Sequence, residues 1–218
     1  MKRVLITGSA NGIGKACVKL FLERGYEVVG FDKVKDDFTD AHYTFYQHNI
    51  TEDHMPCLDN IEILINNAGS QESLSDVDNN LKGTMNITES YAFQPSIKSV
   101  LFNISASAIT GFEFPEYVAS KAGLLGYMKN VACRLATSNK ATCNGLCFGG
   151  VVTSLNRKVM EDEDKWNKIM RVTPLKKWMS AEEAAEWIYF MTVVNKSCSG
   201  ESILIDNGEA NLNNTFVW

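Results

Sequence analysis

Short apolar runs alternate along the chain with stretches whose apolar residues recur every three or four positions, the pattern of strands interleaved with amphipathic helices. RVLIT (3–7) is the first such run, and IGKACVKLFLERG (13–25) is the first helical pattern, closed by a glycine. YEVVGFD (26–32), YTFYQHN (43–49) and IEILINN (61–67) read as the second to fourth strands, the third of the chain being polar enough for a sheet edge. A helical pattern runs from about 76 to 93, SVLFNIS (99–105) is the fifth strand, and a long helix without internal proline is expected from about Pro115 to Ser138. ATCNGLC (141–147) and SILID (202–206) complete seven strands, with charged helical stretches at 161–170 and 180–194 between them. This alternation predicts an α/β architecture built on a parallel sheet.

Composition narrows the picture. With 218 residues, 45% of them hydrophobic, and no linker-like or repeated segment, the chain reads as one domain over 1–218. Its 21 basic residues against 26 acidic ones leave no footprint for nucleic acid or an anionic membrane. MKRVLITG enters a strand directly, and no stretch approaches the roughly 20 apolar residues that span a bilayer, so a cytoplasmic address is expected. The six cysteines (Cys17, Cys57, Cys133, Cys143, Cys147 and Cys198) form no CxxC pair and are expected as buried, reduced thiols. His42, His48 and His54 share one polar region and are expected on the surface or in loops, so no metal is expected.

Four places in the chain carry candidate chemistry. TGSANGIG (7–14) lies between the first strand and the first helix, where Gly8, Gly12 and Gly14 permit a tight turn, close approach of backbone N–H groups to a pyrophosphate, and close helix–strand packing. Asp32 ends the second strand; a carboxylate there accepts from a ribose diol and repels a 2′-phosphate, favouring NAD over NADP, although Lys33 beside it tempers this. NNAG (66–69) follows the fourth strand, where Asn67 can brace neighbouring strands while Ala68 and Gly69 leave room for a ligand. Tyr117 and Lys121 lie one helical turn apart, on one face of the predicted long helix.

Together with NNLKG (79–83), YVASK (117–121) and NGLCFGGVVTS (144–154), these segments resemble, in order, the motifs of the short-chain dehydrogenase/reductase family. The resemblance implies a Rossmann-like, doubly wound fold with a seven-stranded parallel sheet and helices on both faces. It also implies a homodimer or homotetramer built through the helices at 76–93 and 115–138, and a small-molecule alcohol or carbonyl substrate. It makes Tyr117 the general acid/base, with Lys121 lowering the phenol's pKa from its ordinary value near 10 and holding the nicotinamide ribose. Asn80 corresponds to the asparagine supporting a water that leads to solvent. Ser9, Asn11 and Ile13 share the phosphate turn, Asn49 and Ile50 resemble the adenine-contacting pair, and Gly149, Val151 and Thr153 belong to the segment that wraps the nicotinamide.

The chain departs from the family's pattern in four places. Asn49 stands for the usual aspartate and Phe148 for the usual proline, and only ten residues separate Gly69 from Asn80, which trims the substrate flank. The family's serine is displaced: strand register lands on Ala106, counting back from Tyr117 lands near Ser105, and Ser107 lies two residues on. Ser105, Ser107 or neither completes the site. The expected activity is hydride transfer between NAD(H) and a secondary alcohol or ketone. An NAD-binding protein with little catalysis and a β-ketoacyl-thioester reductase are the alternatives. The tail NLNNTFVW (211–218) either packs on a neighbouring subunit or frays.

Overall fold

Strands buried on both faces must be apolar almost throughout, and RVLIT and IEILIN are. In the computed structural model, which describes residues 1–71 and 74–212, they form β1 (Arg3–Thr7) and β4 (Ile61–Asn66), adjacent and parallel at the sheet centre. β2 (Glu27–Asp32) and β3 (Tyr43–Gln47) extend the sheet on one side. On the other lie β5 (Ser99–Asn103), β6 (Thr142–Phe148) and the C-terminal Ser202–Ile205 strand. All six pairings are parallel and the order is β3-β2-β1-β4-β5-β6 followed by that last strand, the seven-stranded doubly wound sheet that was expected. The polar third strand is an edge.

Alternation along each strand divides the core in two. Leu5, Val29, Phe31, Leu64 and Phe102 pack on one face with Leu124 and Met128, whereas Val4, Ile6, Val28, Ile63 and Ile65 pack on the other with Phe21 and Ala184. The first face is covered by α2 (Thr84–Tyr91) and by the long helix Pro115–Ser138, which starts with proline at its first turn as the sequence predicts. The second is covered by α1 (Gly12–Glu23) and a helix over Ala181–Tyr189, the latter begun by a Ser180/Glu183 capping box. Among the described residues, no helix is long and apolar enough to cross a membrane.

Several local features depart from the periodicity. The helix expected over 76–93 begins as a π-helical stretch, Val77–Gly83, before becoming α2. A single turn, α3 (Ser107–Thr110), follows β5 and ends at Gly111 with φ of 73°. With α3 placed, the long helix Pro115–Ser138 is α4, and α5 (Arg157–Met160) and α6 (Glu163–Val172) follow β7 (Val151–Val152). β7 pairs with β8 (Met179–Ser180), so the Ala181–Tyr189 helix is α7 and the last strand is β9. Such pieces are too short to carry a periodic signal. Cys17, Cys143 and Cys147 are buried free thiols, but Cys57 and Cys133 are exposed, against expectation, because they lie outside the apolar faces. His48 lies in the loop that follows β3, as expected, but is buried there, its ring edge-on to Phe31 at 5.3 Å. The tail beyond Leu212 lies outside the described residues.

Candidate active site

Strand order reverses between β1 and β4, and a cleft of about 770 Å³ opens over the carboxyl ends of the strands there. Gly8, with φ of 67°, leads the chain out of β1, where a Cβ would lie 2.9 Å from the Cα of Ala68. Gly14 packs so closely beneath this turn that a Cβ would lie 1.9 Å from the Gly8 carbonyl oxygen. The N-cap, Asn11, makes no side-chain cap, and the first turn of α1 carries no acidic residue. Its orphan N–H groups and positive dipole end are therefore available to an anion, so the turn fits a dinucleotide pyrophosphate. Gly8, Asn11, Gly12 and Ile13 line the cleft. Ser9 and Gly14 do not: Ser9 is buried, and its hydroxyl donates to Tyr43 Oη (3.2 Å).

Asp32 and Lys33 line one end of the cleft together with Asn49 and Ile50, beyond the neighbouring ends of β2 and β3. The Asp32 carboxylate accepts from the N–H groups of Ala10 and Val34, both at 3.0 Å, which fixes it beside the glycine turn. Behind it Lys15 Nζ bonds both oxygens of Asp36 (2.6 and 2.7 Å), and Tyr43 Oη donates to the same carboxylate (3.0 Å). Asn49 spends its carbonyl oxygen on the N–H of Thr51 (3.2 Å).

A line of side-chain bonds crosses the strand ends from the turn to the lysine. Thr7 Oγ1 accepts from the N–H groups of Asn67 and Ala68, and Asn67 Nδ2 donates to the Thr7 and Gly8 carbonyls. Asn103 Nδ2 donates to Asn67 Oδ1 (2.8 Å), and Lys121 Nζ donates to the Asn103 carbonyl (3.0 Å). Asn103 was not expected in the site, and its only sequence signal is its place at a strand end.

Ser105, Ser107, Tyr117 and Lys121 meet where this line ends, all lining the cleft. The two serine hydroxyls are 2.6 Å apart, and both stand near enough to the Tyr117 phenol to act on its pKa. Burial pushes that phenol up to about 12, although Ser105 and, less strongly, Ser107 pull it back while Glu113 and Asp76 raise it further. The net shift in the structure is therefore upward, with burial its largest cause. Burial holds the ammonium of Lys121 itself down to about 8, and its hydrogen bond goes to Asn103. Asn80 does not line the cleft. Wholly buried on the π-helical stretch, it accepts from the N–H of Ser70 (2.7 Å) and donates to the Ser70 carbonyl and Ser120 Oγ. It thereby ties the shortened loop to α4.

Gly149, Val151 and Thr153 line the wall beyond β6, as Gly69 and Ala68 line the wall beyond β4. Thr153 faces the phosphate turn: a Cβ on Gly12 would lie 3.3 Å from its methyl. Gly150 is filled from outside by Trp178, whose indole lies 2.1 Å from a Cβ built there. Trp178 lines the cleft and was not legible in the sequence. The remaining lining mixes apolar side chains (Phe112, Leu155, Ile169, Val172) with polar ones such as Asn79, Thr110 and Asn156, and carries the carboxylates Glu113, Asp206 and Glu209, of which Asp206 is held by the N–H groups of Gly208 and Ala210.

Such a fold and cleft define a dinucleotide-binding α/β protein, and comparison with known proteins sharpens this. The family model for short chain dehydrogenases matches residues 2–164. A 3-oxoacyl-acyl-carrier-protein reductase of Thermotoga maritima is 30% identical, over 95% of this chain and 97% of that one. The structure of 4-hydroxyisoleucine dehydrogenase complexed with NADH superposes with a TM-score of 0.86 at 22% identity, over 98% of this chain and 100% of that one. A putative 2-deoxy-D-gluconate 3-dehydrogenase of Agrobacterium tumefaciens with bound NADP gives 0.83 at 21% identity, over 95% and 96%. The chain belongs to the short-chain dehydrogenase/reductase family of oxidoreductases.

Proposed function

We propose that the protein interconverts a secondary alcohol and its ketone with NAD(H), and that Tyr117 exchanges the proton. The observation that carries this reading is the convergence of Ser105, Tyr117 and Lys121 at one end of a cleft whose other end is bounded by Asp32. Bound nicotinamide supplies or accepts the hydride. Tyr117 gives a proton to, or takes one from, the substrate oxygen, and a serine hydroxyl donates to that oxygen as its charge develops. The Lys121 ammonium, 5.7 Å from the centre of the Tyr117 ring, stabilises the phenolate form electrostatically once the cofactor is bound. Asp32 favours the unphosphorylated ribose, and Lys15, the cation on the neighbouring helix turn, is already held by Asp36.

A β-ketoacyl-thioester reductase is the second reading, favoured by the Thermotoga maritima relative. Glu113 and Glu209 weigh against it, because they face the substrate end and would repel a polyanionic carrier. The same charges with the apolar side chains of the lining suit a neutral or cationic alcohol. NADH and NADPH binding is measured by fluorescence, followed by turnover of 2-butanol, 1-amino-2-propanol, 3-hydroxybutyrate and acetoacetyl-CoA. Tighter NADH binding, and alcohol oxidation lost in Tyr117→Phe, support the proposal. Preference for acetoacetyl-CoA with NADPH establishes the second reading, and cofactor binding without turnover across a broad panel points to a protein that only holds its cofactor.

A further inference from the structure

Two serine hydroxyls where the reaction needs one donor raise the question of how they divide the work. Ser105 follows β5 directly, and the backbone around it is pinned to β6 by Ile104 N–H to the Leu146 carbonyl and Ala106 N–H to the Phe148 carbonyl, both at 2.8 Å. Ser107 opens the single turn α3 and is the more deeply buried of the two, 3% exposed against 9%. Its backbone N–H donates to Ser105 Oγ (3.2 Å) while the two hydroxyl oxygens stand 2.6 Å apart.

A serine oxygen has two lone pairs and one proton. Ser105 Oγ already spends one lone pair on the Ser107 N–H. If the Ser107 O–H fills the second, the Ser105 proton has no use within the pair and is directed outward, toward Tyr117 and the reacting oxygen. The reverse assignment leaves a buried lone pair on Ser105 unused and turns the deeper hydroxyl outward. We propose that Ser107 is a positioning residue: through its N–H and O–H it saturates Ser105 as an acceptor and fixes Ser105 as the hydroxyl that donates to the substrate oxygen. This rests on the alcohol/ketone reading above and goes beyond it by assigning the two serines different tasks. Preorganising a donor in this way removes the cost of reorienting it during the reaction.

The test is a double-mutant cycle with Ser105→Ala, Ser107→Ala and both together, plus Ser107→Thr, using whichever of the three alcohols named above the wild-type protein oxidises best. Ser105→Ala is expected to lower kcat by about 100-fold or more, and Ser107→Ala by roughly tenfold with KM little changed. The double variant should match Ser105→Ala alone, and Ser107→Thr, which keeps the hydroxyl, should restore most of the loss. Independent losses that multiply, a larger loss from Ser107→Ala than from Ser105→Ala, or no rescue by threonine would overturn the assignment. A second readout needs no turnover. The ultraviolet titration of Tyr117, taken as the difference between each protein and its Tyr117→Phe counterpart, should move upward in Ser107→Ala when Ser105 is present and hardly when it is alanine. An equal shift in both backgrounds means that Ser107 acts on the phenol directly, and the proposal fails even if no alcohol is oxidised. Absence of turnover with the titration as expected would instead count against the alcohol/ketone reading alone.

Discussion

Replacing Lys121 by methionine is expected to stabilise the protein while abolishing oxidation. Lys121 is 5% exposed, and its ammonium hydrogen-bonds one carbonyl, that of Asn103. Its folded-state value of about 8, against an ordinary 10.5, corresponds to about 3 kcal/mol of net unfavourable charging, burial being the largest cause. Leaving the Asn103 carbonyl without its donor costs about 1 kcal/mol. The net gain at pH 7 is therefore about 2 kcal/mol, or a rise in Tm of about 6 °C for a chain of this size. Between pH 8 and 10.5 the unfolded chain keeps a proton that the folded chain has shed. The wild type consequently gains stability as pH rises through that window, and the advantage of Lys121→Met shrinks across it. Tyr117, pushed up to about 12, is present in both proteins and largely cancels in the difference. Paired urea titrations at several pH values between 7 and 10.5, with NADH absorbance for activity, make the measurement. A Lys121→Met protein less stable than wild type at neutral pH, or an advantage that does not change with pH, refutes the reasoning.

Three further outcomes are expected. Gly14→Ala places a Cβ where the Gly8 carbonyl oxygen stands, so α1 and the phosphate turn must part; a loss of about 2 to 3 kcal/mol in urea and weakened NADH binding should follow, and an unchanged midpoint would contradict this. Burial pushes Asp36 up, but Lys15, the Phe38 N–H and Tyr43 outweigh it and hold the carboxyl below its ordinary value. Asp36→Asn should therefore lose about 1 to 2 kcal/mol near neutrality, with the difference vanishing as pH falls through that lowered value; a difference that persists in acid argues against the ion pair as its source. Because Glu113 raises the phenol of Tyr117, Glu113→Gln should lower the pH midpoint of alcohol oxidation, and a midpoint that stays or rises would show that Glu113 does not act on Tyr117.

Periodicity and glycine placement determined a great deal about this protein. Strands buried on both faces have to be apolar, so the central strands were legible, and the more polar YTFYQHN read as the edge it forms; Pro115 marked the start of α4 at its first turn; and Gly8 and Gly14 sit where no side chain fits, a constraint visible in TGSANGIG before any coordinates. The Tyr117–Lys121 spacing, one helical turn, placed both groups on one face for the same local reason. What depends on contacts between distant segments was not legible. The meeting of Ser105 with Ser107 and Tyr117 depends on a one-turn helix and on pinning by β6, neither of which has a period. The filling of Gly150 by Trp178 joins residues 28 positions apart. The π-helical start of α2, which turns Asn80 inward to hold Ser70, looks in the sequence like ordinary helix. The direction of the Tyr117 shift belongs to the tertiary structure as well, because its largest cause is burial by the assembled walls of the cleft.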